Sequence, residues 1–379
     1  MAGLYIHVPF CASRCAYCGF YSTTSEGLAD EYVSAACAEM ELRAAGFTAA
    51  AGRGISTIYI GGGTPSRLSE EQLDRLFAEV DKAFGTGTVA ACEEITMECN
   101  PDDVTDGYAA AIGRLPMGRV SLGVQTFHDP TLRRMRRRHS SADIRPAVER
   151  LRRAGIGNIS IDLMFGFPGE TIERWMADVD TAVALGVEHI SAYSLAYEPG
   201  TPLFRDLEKG NIEEIGEEDS RAMYYGMADR LCAAGYEHYE ISNFAKPGRR
   251  ALHNSSYWDG TPYMGIGPAA HSYRKSERSW NTPSLKDYLR LVGQGKPATC
   301  GSEEIGPVES YNDAVATAMR TREGLSIDSL PGKFAKHAMA AAGRHIASGL
   351  VEYSAGRLSL TRAGLYVSDY VMADLIYTE

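Results

Sequence analysis

The sequence predicts an α/β fold, a partial (β/α)6 barrel followed by a small C-terminal helical, winged-helix-like domain. Three observations carry that expectation. Six short apolar runs alternate with amphipathic stretches up to about residue 200, the pattern of βαβ units around a parallel sheet. Glycine- and proline-rich motifs stand at the C-terminal ends of those runs, the edge at which α/β folds bind ligands. Beyond residue 235 the pattern changes, first to an aromatic- and glycine-rich segment and then to helices ending in a hairpin. The chain therefore divides into a core at 1–235, an extension and linker at 236–302 and a terminal module at 303–379.

The first apolar run is Leu4–Val8, and helical spacing follows over Glu26–Ala45. The second, Ile55–Ile60, leads into Ser69–Phe84, where Ser69 and Gln72 form a capping box. Next come Glu94–Glu98 with Asp106–Leu115, Val120–Val124 with Ser141–Ala154, and Ile159–Phe165 with Glu170–Leu185. Ile190–Leu195 is the sixth run. An open doubly wound sheet would read in a similar way. The stretch Tyr236–Trp280 shows no clean periodicity, whereas Leu350–Tyr353, a glycine turn and Leu358–Leu360 read as a hairpin.

With 379 residues, 44% hydrophobic and 23% charged, the composition is that of an ordinary globular protein. No apolar run approaches the ~18 residues of a membrane span, and the N-terminus lacks a signal-peptide pattern. A cytoplasmic location with no integral membrane segment is expected. A net charge of −11 argues against binding nucleic acid. Residues 303–379 carry seven Lys/Arg against ten Asp/Glu, so the terminal module is expected to pack, not to bind DNA. One basic run stands out, Arg133, Arg134, Arg136, Arg137 and Arg138, which reads mainly as a solvated face.

Of eight cysteines, three crowd into Cys11-x3-Cys15-x2-Cys18. Clustered cysteines in a chain with no secretory pattern point to metal or redox chemistry and not to a disulfide framework. Structural zinc normally closes with four ligands, and no second knuckle is present. Three thiolates instead suit a 4Fe–4S cubane with one open iron, to which the amine and carboxylate of S-adenosylmethionine can chelate. Tyr17 inside the loop fits the radical-SAM form of the motif. Gly61–Gly63 follow a strand directly and allow close backbone approach to a ligand. Glu98 ends the next run, where its carboxylate can accept from ribose hydroxyls.

The runs Leu4–Cys11, Gly61–Ser66, Gly123–Phe127 and Asp162–Gly169 resemble the oxygen-independent coproporphyrinogen oxidase family. Ser242–Gly248 and His253-Asn-x-x-Tyr257-Trp258 are similar to its HemW-type haem chaperone branch. The resemblance implies that Tyr5, Gly62 and Glu98 contact S-adenosylmethionine. It implies that Tyr17, Gly63, Thr64, Gln125, Arg137, Asp162 and Ala196 hold a second molecule or shape the barrel mouth. It also implies haem as cargo, with His253, Tyr257, Trp258 and His271 as haem candidates, haem-requiring acceptor proteins as partners and a cytosolic electron donor. On the residues alone His253 reads as a hydrogen-bonded plug of the barrel, and the motif match sets the haem reading level with it. Two functions follow: haem transfer, and alternatively radical decarboxylation of coproporphyrinogen III. The family's oxidases carry a further cysteine where this chain has Phe20, and a long segment ahead of the cluster, which favours haem transfer. Gly19 departs from the aspartate usual in the chaperone branch.

Overall fold

The computed structural model describes residues 2–52 and 54–378. Strands β1 (Ala2–Val8), β2 (Ile55–Gly62), β3 (Glu94–Cys99), β4 (Arg119–Gln125), β5 (Asn158–Phe165) and β6 (His189–Ser194) pair in chain order, all parallel. Helices Ala29–Ala51, Glu70–Phe84, Asp106–Ile112, Ser141–Arg153 and Ile172–Leu185 return the chain between them. The capping box forms, with Gln72 N–H donating to Ser69 Oγ at 3.2 Å and Ser69 N–H to Gln72 Oε1 at 3.0 Å. The first helix begins three residues later than its apolar spacing suggests and runs on to Ala51.

Side chains alternate strictly across these strands. Leu4, Ile6, Ile58, Ile60, Ile95, Met97, Val120, Leu122, Ile159 and Ile161 are buried in one hydrophobic core with the helices. The intervening positions meet one another on the other face: Tyr59 with Glu98, Ser121 with Asp162, and Ser160 with His189. The sheet thus wraps a polar lumen.

The segment 236–302 supplies strands to both edges of the sheet. The strands β7 (Glu237–Glu240) and β8 (Asn243–Ala245) add antiparallel beyond β6. At the other edge β9 (Tyr263–Ile266) runs parallel to β1, followed by β10 (His271–Arg274), β11 (Glu277–Asn281) and β12 (Thr299–Glu304), each antiparallel to its neighbour. These strands are three to six residues long and range from fully buried β8 to largely exposed β12, so they share no one pattern of burial. β12 ends at Glu304, two residues beyond the expected division at 302/303.

The terminal module has its own core, including Tyr311, Val315, Phe334, Ala338, Leu358 and Leu375. Its three-stranded sheet joins β13 (Leu325–Ser326), β15 (Arg357–Leu360) and β14 (Val351–Ser354) in that spatial order, beside helices Pro307–Ala318, Gly332–Ala347 and Ser368–Leu375. The hairpin β14–β15 turns at Ala355 and Gly356, both left-handed. The module also bridges β7 through Glu240 and Thr321.

The short helix Leu252–Trp258 closes the lumen at the N-terminal ends of the strands. Buried Glu94 receives the backbone N–H groups of Leu252 and His253, each at 2.9 Å. A carboxylate here both satisfies two free helix donors and complements the helix dipole. Glu94→Ala should lower unfolding stability by about 2–4 kcal/mol, because two buried donors lose a charged acceptor. Glu94→Gln should cost less, a difference that urea unfolding followed by circular dichroism would resolve.

Candidate functional site

The cysteine loop leaves the C-terminal end of β1. Phe10 anchors it, fully buried and edge-on to Tyr32 at 5.5 Å. Backbone bonds then fold the loop back, Thr23 N–H to Pro9 at 2.7 Å and Cys11 N–H to Thr23 at 2.9 Å. Cys11, Cys15 and Cys18 are half-buried free thiols in this loop. Burial pushes the Cys11 and Cys18 thiols above their ordinary values, while a hydrogen bond from Thr64 pulls Cys11 back.

Two donors reach these sulfurs. Thr64 Oγ1 donates to Cys11 Sγ at 3.3 Å, and Arg137 Nη1 to Cys15 Sγ at 3.4 Å. Asn100 joins the two donors: Arg137 Nη2 donates to its Oδ1 at 2.6 Å, and its Nδ2 donates to Thr64 Oγ1 at 3.4 Å. Among the described residues no three His, Cys, Asp or Glu side chains converge on a single-ion position. A cubane takes each thiolate on a different iron, so its ligands stand further apart than a zinc knuckle's. Three thiols with hydrogen-bond donors on two sulfurs fit such a cluster, since donors around the sulfurs tune it.

The glycine triplet packs against the same loop. Gly62 has φ 111°, and a Cβ there would lie 2.6 Å from the His7 ring. A Cβ on Gly63 would lie 2.8 Å from the Phe10 carbonyl. His7 is itself fixed on both nitrogens, Nε2 donating to the Tyr21 carbonyl and Nδ1 accepting from Tyr5 Oη, each at 3.0 Å. That tautomer follows from the carbonyl partner.

Glu98, on the neighbouring strand β3, meets the triplet directly. Its Oε1 accepts from Tyr59 Oη at 2.7 Å and its Oε2 from the Gly62 N–H at 3.0 Å. Burial, reinforced by the charge of Asp162, pushes the carboxyl up to about 7, against the pull of those two donors. Each oxygen keeps a lone pair for a ligand. Tyr5, Gly62 and Glu98 therefore lie together on the inner rim next to the cysteine loop.

The second set divides. Tyr17 packs on a small cluster with Met135, Phe167 and Leu195. Gln125 sits in left-handed backbone at φ 67°, after a register shift at the end of β4. A non-glycine residue held there stores roughly 1–3 kcal/mol of strain, a feature of ligand sites. Gly123 lacks the Cβ that would crowd both Gln125 and Arg137. Asp162 lies deeper, accepting from Ser121 at 3.2 Å, and Ala196 is exposed just past β6. Of the five clustered arginines only Arg137 turns inward; the other four are exposed.

The haem candidates lie at the opposite end. His253 is fully buried. Its Nδ1 pairs with Thr57 Oγ1 and its Nε2 with Tyr257 Oη, both at 2.9 Å, and its ring stacks on Tyr59 at 5.3 Å. Burial, aided by the nearby Arg119 charge, drops its pKa to about 3. In this arrangement His253 is part of the plug and offers neither nitrogen to an iron. Tyr257 and Trp258 instead line a cleft of ≈ 1350 Å³ between the extension and the terminal module. Tyr263 and Tyr273 line it on the same side, Tyr311 and Phe334 across it. Exposed His271 stacks on Trp280 at 6.0 Å and does not line that cleft.

Residues 5–182 match the radical SAM superfamily model. The chain is 35% identical over 379 residues to the haem chaperone HemW of Mycobacterium tuberculosis (strain ATCC 25618 / H37Rv), spanning 99% of this chain and 94% of that one. It is 34% identical over 339 residues to HemW of Bacillus subtilis (strain 168), covering 89% and 88% respectively. In three dimensions it superposes on the radical SAM enzyme coproporphyrinogen III oxidase (HemN) of Escherichia coli with a TM-score of 0.84. That match covers 99% of this chain and 90% of the other at 22% identity, and shows a shared fold. Radical SAM membership implies a 4Fe–4S cluster and S-adenosylmethionine. The chain belongs to the HemW haem chaperone family of radical SAM proteins.

Proposed function

We propose that this protein binds haem in the cleft below the barrel and hands it to haem-requiring apoproteins in the cytoplasm. The carrying observation is the cleft itself: Tyr257 and Trp258, the end of the motif shared with the chaperone branch, wall it on one side and Tyr311 and Phe334 on the other. Flat aromatic walls suit a planar macrocycle. Lys275 at the lining supplies positive charge for its carboxylates, while Arg250 and Arg278 there are already paired with Glu237 and Glu323 and with Glu303 and Asp313. On this reading the regions 1–235, 236–302 and 303–379 act as cofactor barrel, cargo-binding extension and closing wall.

Cargo that must be released cannot be held at extreme affinity. His253 Nε2 shares one hydrogen bond with Tyr257 Oη and Nδ1 another with Thr57 Oγ1, so both ring nitrogens are taken. The depressed imidazole resists taking the phenol's proton, so Tyr257 stays a neutral wall and polar contact. Haem addition to anaerobically reconstituted protein should then give a saturable Soret change. Tyr257→Ala and Trp258→Ala should each weaken it by roughly tenfold, the scale of one lost aromatic contact. A spectrum that never saturates, or alanine variants that bind like the parent, would sink the assignment.

At the other end, Cys11, Cys15 and Cys18 hold the cluster, Tyr5, Gly62 and Glu98 contact S-adenosylmethionine, and the Arg137–Asn100–Thr64 chain orients the thiolates. When bound, the pair supplies one-electron reductive cleavage of the sulfonium, with the electron drawn from a cytosolic donor. Tyr59 and the Gly62 N–H hold the Glu98 carboxylate toward the ligand. Only the ionised form accepts freely from hydroxyl or ammonium groups. Affinity for S-adenosylmethionine should therefore rise as pH passes upward through about 7, and Glu98→Gln should bind about tenfold more weakly and lose that component of the pH profile. Equilibrium dialysis of cluster-loaded protein between about pH 6 and 8.5 checks it, and an unchanged profile in the variant would remove Glu98 from the contact set.

A further inference from the structure

We infer that the floor of the barrel lumen is a binding site for a small carboxylate, held by Arg119 and Thr96. This site lies apart from the aromatic cleft, with the His253 plug between them, and it stands whether or not haem binds in that cleft. Arg119 opens β4, and Thr96 lies beside it on β3 in direct register. Alternation turns both toward the lumen, since their neighbours Ile95, Met97 and Val120 go to the core. Arg119 is 2% exposed and Thr96 is fully buried. Among the described residues neither Arg119 Nε nor Thr96 Oγ1 has a hydrogen-bond partner.

Both groups can donate, and the acids of the lumen are committed elsewhere. Glu94 gives its two oxygens to the N–H groups of His253 and Leu252, and Glu98 gives its own to Tyr59 and Gly62. Asp162 accepts from Ser121. The two floor histidines, His189 and His253, supply no counter-charge. Each bonds through both ring nitrogens, and burial with the Arg119 charge holds them far below the usual imidazole range. The Asn158 amide oxygen, in register on the other side and likewise unpartnered, is a neutral acceptor that leaves the charge uncompensated. A guanidinium taken out of water needs an anion, and its planar fork matches the two oxygens of a carboxylate. The Thr96 hydroxyl adds a further donor beside that fork. Thr96 lies two residues below Glu98 on β3, about 7 Å along the strand, which suits an occupant of a few heavy atoms and not a macrocycle. The lumen is open above this floor, where Tyr193 on the inner face of β6 is 40% exposed.

Acetate is the probe, with cluster-loaded protein. Saturation-transfer NMR on the acetate methyl should give a signal that saturates. Arg119→Met should weaken binding at least about tenfold, the scale of a lost charged hydrogen-bond partner. Thr96→Val, which removes one hydroxyl at constant volume, should weaken it about three- to tenfold. Raising potassium chloride from about 50 to about 300 mM should change the acetate affinity by less than about twofold, because a buried pair is screened little. That response separates the floor from the exposed arginines Arg133, Arg134 and Arg136, whose contacts salt would weaken. Circular dichroism reports the fold of both variants, and Thr96→Val carries the test alone where Arg119→Met does not fold. A parent signal that never saturates, variants that bind acetate like the parent, or displacement of acetate by chloride would overturn the site.

Discussion

Strict alternation across six adjacent parallel strands is the constraint on which this molecule depends. Parallel sheets usually bury both faces and read as continuous apolar runs. Here one face packs on helices while the other carries tyrosines, histidines, serines and carboxylates. Buried polar groups are tolerated only when paired, and the lumen meets that demand across strands: Tyr59 with Glu98, Ser121 with Asp162, Ser160 with His189. A slip of one residue in any strand would turn its aliphatic row into the lumen and its polar row into the core.

The lumen has two different ends. At the C-terminal ends of the strands, loops bring thiols, a glycine triplet and Glu98 together. At the N-terminal ends Glu94, Thr57 and Tyr257 lock His253 into a floor. His189 braces the same level by bonding Ser160 at 2.8 Å and Tyr239 at 2.7 Å. Tyr239 and Tyr257 form the far side of that floor and belong to the cleft lining. A solvent-shielded chamber and an aromatic cleft are thereby built back to back.

Much of this was legible in the residues. The six core strands follow from alternation and the hairpin from its glycine turn. The cysteine trio, the triplet and Glu98 stand out in the sequence because each is a short local motif at a strand end. Their support was not legible. Asn100 looks like a turn residue before proline, and nothing local shows that it joins Arg137 to Thr64. Tyr59 reads as a strand aromatic, although it holds Glu98. The burial of His253 depends on Glu94, 159 residues away, a separation no motif spans. The edge strands of the extension are not legible because their burial runs from fully buried β8 to almost fully exposed β12, so no one apolar alternation marks them.

An unclosed sheet of twelve strands has two free margins, and unpaired strand margins template self-association. This molecule treats them differently. The β7 margin is taken up by the terminal module, through the Glu240–Thr321 bridge and the Arg322 N–H to the Tyr239 carbonyl at 3.0 Å. The β12 margin is mostly exposed and ends in Glu303 and Glu304, charged residues of the kind that discourage an added strand. The terminal module therefore acts as an end-stop for one border of the barrel sheet, while charge marks the other.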